Sequence, residues 1–247
     1  MAKLIKYEIR KTWFPKLVIL FITAVAEILF LAGCFADKPG LTSGGSILLF
    51  FVATTGILIV GLYSLIVLYR DLNTKQGYML YMTPRNSFQI LGAKLLENGI
   101  SLALAGGFFF LLGLLDVTLL FGRLGTLEEL WQFFQDFVRM INDQIQLNAQ
   151  SILCLVVEML ASWLATVSIA FLADIVSSAL LNGKKMNGFL AFLFFILLTI
   201  LLGWIQNQFR TGMSIEAILL VRAGIALAYS AVMYVVSAWV MDRYLSV

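Results

Sequence analysis

Four ionisable side chains lie within long apolar runs of the chain: Glu27, Asp116, Glu158 and Arg222. A charged group at the centre of a membrane helix costs about 2.5–3.5 kcal/mol on insertion scales, so such residues pair with one another or line a wet cavity. Their chemistry is therefore proton exchange, attraction of a cationic group, or ion pairing. Little else is on offer. The chain has no histidine, which removes imidazole bases, histidine-ligated zinc and the Ser-His pairs of intramembrane hydrolases. Its single Gly-Lys step, Gly183-Lys184, has Ser178 where a phosphate-binding loop needs its first glycine and Lys185 where it needs a hydroxyl. There is no G-x-G-x-x-G sequence, no acidic cluster with metal-ligand spacing, and no zinc or redox spacing of Cys34 and Cys154. No catalytic residue and no metal site are expected, and the chain should bind no cofactor of its own.

The elements that carry these charges follow from composition. Of 247 residues, 61% are hydrophobic and 13% charged, against about 25% charged in a soluble domain. A bilayer takes about 20 residues per helical span, and six apolar runs meet that length: Leu17 to Ala36, Ile47 to Tyr69, Gly99 to Phe121, Ser151 to Leu172, Gly188 to Ile205 and Ala217 to Met241. The expectation is an all-α integral membrane protein, one transmembrane domain over 1–247. Of the 17 Lys and Arg, Arg222 lies in a span. With the amino terminus inside, only Lys38, Arg123, Arg139 and Arg210 fall outside, and the rest face the cytoplasm. Both termini are then cytoplasmic. Counting about 1.5 Å per residue from the outer ends places Asp116 and Arg222 roughly 8 Å deep, Glu158 roughly 11 Å and Glu27 roughly 14 Å. Arg222 is expected to pair with Glu158 or Asp116 and hold spans three, four and six together. Glu27, near the middle with no evident partner, is the candidate for a substrate pathway.

Two amphipathic segments flank the spans. In residues 1–14, Ile5, Ile9 and Trp13 form a stripe beside Lys3, Lys6 and Arg10; this segment should lie on the inner leaflet against anionic lipid, with Pro15 breaking the helix before span one. The exterior segment 123–150 is expected to form an amphipathic helix between spans three and four, with Leu127, Leu130, Trp131, Phe134, Phe137, Val138, Ile141 and Ile145 facing one way, and Glu128, Gln132, Asp136, Arg139 and Asp143 the other. Thr126 and Glu129 have the form of a capping box. Small residues at intervals of four, Ser162, Thr166 and Ala170 on span four and Gly224 with Ala228 on span six, suit close helix packing. Leu31-Ala32-Gly33-Cys34 has the form of a lipobox; read literally, cleavage before Cys34 and its lipidation would leave five spans. Glu27 interrupts the apolar run before it, so six spans are expected.

The cytoplasmic stretch 70–94 is too apolar for a free loop. Asn73, Tyr78, Leu80, Tyr81 and Met82 stand among charges of both signs, the composition of an interface for a soluble partner. Together with the start Leu4-Ile5-Lys6-Tyr7-Glu8-Ile9-Arg10-Lys11, the Arg70-Asp71-Leu72 step, Gly77-Tyr78 and the run from Thr83-Pro84 to Gly92-Ala93-Lys94, this chain resembles the membrane subunit of a type-2 ABC exporter, over most of its length. The resemblance implies an elbow helix at 1–14 and a coupling helix within 70–94 that seats in a groove of a separate ATPase. It also implies a second permease copy, identical or a close paralogue, with ATP and Mg held by the ATPase subunits. The family commonly places re-entrant helices outside between spans five and six; here residues 206–216 are brief, so the family's exit gate is not carried over.

The function expected is that of a permease subunit in the bacterial cytoplasmic membrane, exporting an amphipathic or hydrophobic compound, with antimicrobial peptides among the candidates. It should be no enzyme and should bind no nucleic acid. A six-span substrate-capture subunit of an importer would not need the elbow and the apolar 77–84 stretch together. A membrane enzyme using Glu27 or Glu158 as acid or base would turn over substrate without a partner.

Overall fold

The computed structural model describes residues 2–73, 86–124, 131–132, 135–136, 139, 149–181, 186–209 and 214–245. Among them there is no strand. The helices are α1 (Ala2–Lys11), α2 (Trp13–Phe35), α3 (Pro39–Asn73), α4 (Ser87–Leu124), α5 (Ala149–Leu181), α6 (Asn187–Gln208) and α7 (Ile215–Val240), the last continued by a π-helical turn, Met241–Leu245. Six of these, α2 to α7, are long and apolar enough to cross a membrane. The chain is a multi-pass membrane protein by that measure.

Two helices are longer than a crossing requires. At about 1.5 Å per residue, the 35 residues of α3 and the 38 of α4 reach about 52 and 57 Å, against a hydrocarbon core of about 30 Å. The 70–94 stretch is entered by helix from both sides: Arg70 to Asn73 end α3, and everything from Ser87 belongs to α4. The break before the first span also differs from expectation. It falls at Thr12, whose hydroxyl donates to the Ile9 carbonyl at 3.2 Å. Pro15 sits in the first turn of α2, where a missing N–H leaves no helical bond unmade.

The structure divides into two compact units. The first comprises Met1–Glu8, Leu62–Glu97 and Leu147–Val247. Its core has two layers, one around Leu68, Leu91, Phe171 and Ile175, the other around Ala161, Ala165, Ile169, Ala223 and Ala226. The alanines at intervals of three and four let α5 and α7 approach closely. Of the expected stripe Ala170 is buried and Ser162 and Thr166 are half-buried, the closest packing falling one residue earlier at Ala161 and Ala165, while Gly224 and Ala228 are exposed and a Cβ on Gly224 would meet nothing within 4 Å. Ser168 and Ser230, both buried, satisfy each other across α5 and α7 at 2.9 Å.

The second unit comprises Ile9–Gly61 and Asn98–Gln146, with a core of Ala26, Phe30, Cys34 and Leu49. The turn from α2 to α3 passes through Asp37 at φ 51°, a left-handed position that aspartate tolerates better than most residues. Beyond it the helices touch backbone to backbone: a Cβ on Gly33 would lie 2.4 Å from the Thr42 nitrogen, and one on Gly45 would lie 2.6 Å from the Phe30 Cα. Gly33, the glycine of the lipobox-like run, thus has a packing role, and Cys34 is a free, buried thiol.

Candidate functional site

The chemistry-bearing residues fall into three groups, two in the first unit and one in the second. At the helix ends that flank residues 74–85 stands Lys94, two turns into α4 and 1% exposed. Its ammonium donates to Glu8 Oε2 of α1 at 2.9 Å and to Asp71 Oδ2 of α3 at 2.8 Å. Both acids are buried. An isolated buried ammonium would lose its charge or unfold its surroundings, so the two carboxylates are what allow it to sit there. In return the lysine ties α1 to both helices that lead into the 74–85 segment.

Sequence reasoning counted Lys94 as a cytoplasmic flanking charge and missed this cluster. The signal was present. Ser87, Ile90, Leu91, Lys94, Asn98 and Ser101 recur at intervals of three and four, and all are buried. A mixed polar and apolar stripe on one helix face is readable as a buried face with polar work to do. Near the same ends, Ser87 donates to the Asp242 carboxylate and Tyr234 to the Phe88 carbonyl, so α7 and its π-helical turn are bonded to the start of α4.

The second group lies farther along α5 and α7. Arg222 Nε is 4.0 Å from Glu158 Oε1, the guanidinium half-exposed and the carboxylate largely covered. Ser162 donates to the same carboxylate oxygen at 3.0 Å, and Gln206 Nε2 reaches the Arg222 carbonyl at 3.4 Å. A small cavity of 160 Å³ is lined by Gly203, Gln206, Asn207, Ile218 and Arg222.

Asp116 is not with them. It lies in the second unit beside Glu27, carboxyl to carboxyl, and one oxygen of each, Glu27 Oε2 and Asp116 Oδ1, is buried with no hydrogen-bond partner. Asp116 lines a cavity of 390 Å³ whose wall is otherwise almost wholly apolar, with Phe30, Phe50 and Phe109 among its residues. Two carboxyls in contact can hold a proton or a cationic group between them. The sequence placed Glu27 without a partner because depth along separate spans does not say which spans are neighbours.

The residues expected to meet a partner are only partly seen. Asn73 is the last residue of α3; Tyr78, Leu80, Tyr81 and Met82 lie outside the described residues, as does most of the exterior segment. Within that segment Trp131, Gln132, Gln135, Asp136 and Arg139 are helical, and Arg139 makes an exposed pair with Asp136 at 3.8 Å. No group of three or more metal-ligating side chains occurs among the described residues.

No family model, curated protein or solved structure matches the chain. A functional reading therefore rests on the residues themselves.

Proposed function

We propose that this chain is the permease half of a type-2 ABC exporter of the bacterial cytoplasmic membrane. It would move an amphipathic or hydrophobic compound outward with energy from ATP hydrolysed on a separate subunit. The observation that carries the reading is the buried Lys94 cluster. It bonds the short helix preceding the first span to the two helices that lead into the apolar 74–85 segment. A partner that pushes on that segment needs a stiff mount, because force applied to a loosely held segment is lost in local motion. The resemblance in the amino-terminal segment and in residues 70–94 points the same way.

In this reading Asn73, Tyr78, Leu80, Tyr81 and Met82 meet the ATPase. A second permease copy completes the pathway, and the Glu27–Asp116 pair faces it as a site for a cationic group on the cargo. The half-exposed Arg222–Glu158 pair braces α5 against α7.

The test is reconstitution of the purified chain in lipid vesicles with a candidate ABC ATPase subunit. ATP hydrolysis should rise on adding the chain to the ATPase, and the chain by itself should hydrolyse none. An unchanged rate, or nucleotide turnover by the chain alone, would overturn the proposal.

A further inference from the structure

The 390 Å³ cavity that Asp116 lines lies within the second unit, between α2, α3 and α4. Its volume falls in the range of small-molecule sites, about 300–1,000 Å³. The polar side chains in its wall are Ser46 and Asp116. Ser46 spends its hydroxyl proton on the Thr42 carbonyl at 2.9 Å, so it can meet a ligand only as an acceptor. Asp116 is bonded carboxyl to carboxyl with Glu27. That bond uses one proton, and with no second proton the pair is a single buried negative charge. The oxygens left over, Asp116 Oδ1 and Glu27 Oε2, are buried and accept from nothing among the described residues.

The surrounding helices do not supply a counter-charge from their apolar stretches: residues 17–35, 39–69 and 99–122 contain no lysine or arginine. Neither acid has an ion-pair partner among the described residues. What the cavity lacks is therefore a donor that carries positive charge. A hard metal ion takes about six oxygen ligands, more than this wall offers. A primary ammonium brings three donors on one nitrogen, and its apolar body suits the phenylalanine and leucine side chains that form the rest of the wall.

We infer that this cavity binds a small hydrophobic primary amine as its ammonium ion, the nitrogen on Asp116 Oδ1 beside Ser46 and the apolar body among Phe30, Leu49, Phe50 and Phe109. Glu27 acts through Asp116, as a positioning residue. The inference deepens the transport reading by naming a class of cargo. It rests on that reading for the movement of the amine, whereas binding is a property of this chain.

The probe is tritiated 2-(1-naphthyl)ethylamine, a cation at neutral pH. It is offered to the chain in zwitterionic lipid nanodiscs with no ATPase present, and binding is read by scintillation proximity and corrected for empty nanodiscs. Binding should be saturable. The alcohol 2-(1-naphthyl)ethanol, which lacks the charge, and the N,N,N-trimethyl ammonium salt, which lacks the N–H donors, should each compete at least about tenfold more weakly, the scale of one charge-assisted hydrogen bond. Asp116→Asn should weaken the amine about tenfold and leave the alcohol unchanged. Glu27→Gln should weaken it less, and the double variant should bind amine and alcohol alike. Gly113 lines the cavity, and a Cβ on it would meet nothing within 4 Å, so Gly113→Leu, which fills space without touching charge, should weaken both. Equal binding of amine and alcohol, a trimethyl salt as tight as the amine, or a preference that survives the double variant would overturn the site. So would the absence of saturable binding, the result expected if an acyl chain or a second copy of this chain fills the cavity. Saturable, Asp116-dependent binding by a chain that stimulates no ATPase would uphold the site and count only against the exporter reading.

Discussion

The Lys94 cluster and the Glu27–Asp116 pair both bury acid oxygens, and they treat them oppositely. In the first unit two acids share one ammonium, and its bonds of 2.8 and 2.9 Å join three segments of chain. In the second unit two acids meet, and among the described residues each keeps a buried oxygen without a hydrogen-bond partner. A buried charge with its counter-charge is a fastener, expensive to break from one side. A buried carboxyl pair without one is unfinished as structure. That residue of unsatisfied bonding is what a site for a proton or a cationic group requires, and under the proposed transport role it sets the part that holds shape apart from the part that would meet cargo.

The largest expected effect breaks the fastener. Lys94→Met leaves Glu8 and Asp71 facing each other without the ammonium and should cost about 3–5 kcal/mol, read as a marked fall in melting temperature in detergent. Glu8→Gln should cost much less, since Lys94 keeps Asp71. Adding Glu8→Gln and Asp71→Asn to Lys94→Met should recover part of the loss. Losses that simply add would mean the three residues do not act together.

The unfinished pair should behave in the opposite way. Glu27→Gln keeps a hydrogen-bonding group against Asp116 and removes one of two ionisable groups from a buried acid pair, so it should leave the melting temperature unchanged or raise it. A fall as large as that of Lys94→Met would make the pair structural. Its exposure during transport is checked separately with Glu27→Cys, in a background with Cys34 and Cys154 replaced. Labelling by a water-soluble thiol reagent should change when nucleotide is added to the reconstituted complex. No labelling in either state, with full transport by Glu27→Gln, would remove it from the pathway.

The Arg222–Glu158 pair lies between these cases. With the guanidinium half-exposed and the contact at 4.0 Å, Arg222→Met should cost only about 1 kcal/mol. Glu158→Gln should restore part of that loss, whereas Asp116→Asn, neutral or stabilising by itself, should show no coupling to Arg222→Met.

Hydropathy was sufficient for the six spans, because a run that must bury every backbone group in lipid is long and apolar wherever it occurs. It was insufficient at their ends. Helices α3 and α4 continue past the hydrocarbon through polar residues, and once Ser87 begins a helix, Lys94 becomes an interior position rather than a flank. The break at Thr12 was misassigned to Pro15 because proline disrupts a helix interior but fits its first turn. The α5 stripe was displaced by one residue since small side chains occupy several adjacent positions there, and only contact with α7 selects among them. Which acid stands beside which base depends on helix neighbours, and a single sequence of parallel and antiparallel spans does not encode that in its spacing.

The central claim, that residues 73–82 between the two helices fastened by Lys94 receive an ATPase, is tested most directly by co-purification. The chain is co-expressed with a candidate ABC ATPase subunit, and the pair is recovered through a tag on the permease. Tyr78→Asp with Tyr81→Asp should strip the ATPase from the permease and abolish the stimulation of ATP hydrolysis, while the permease keeps its melting temperature. Full co-purification of the ATPase with the double variant, with stimulation intact, would contradict the account.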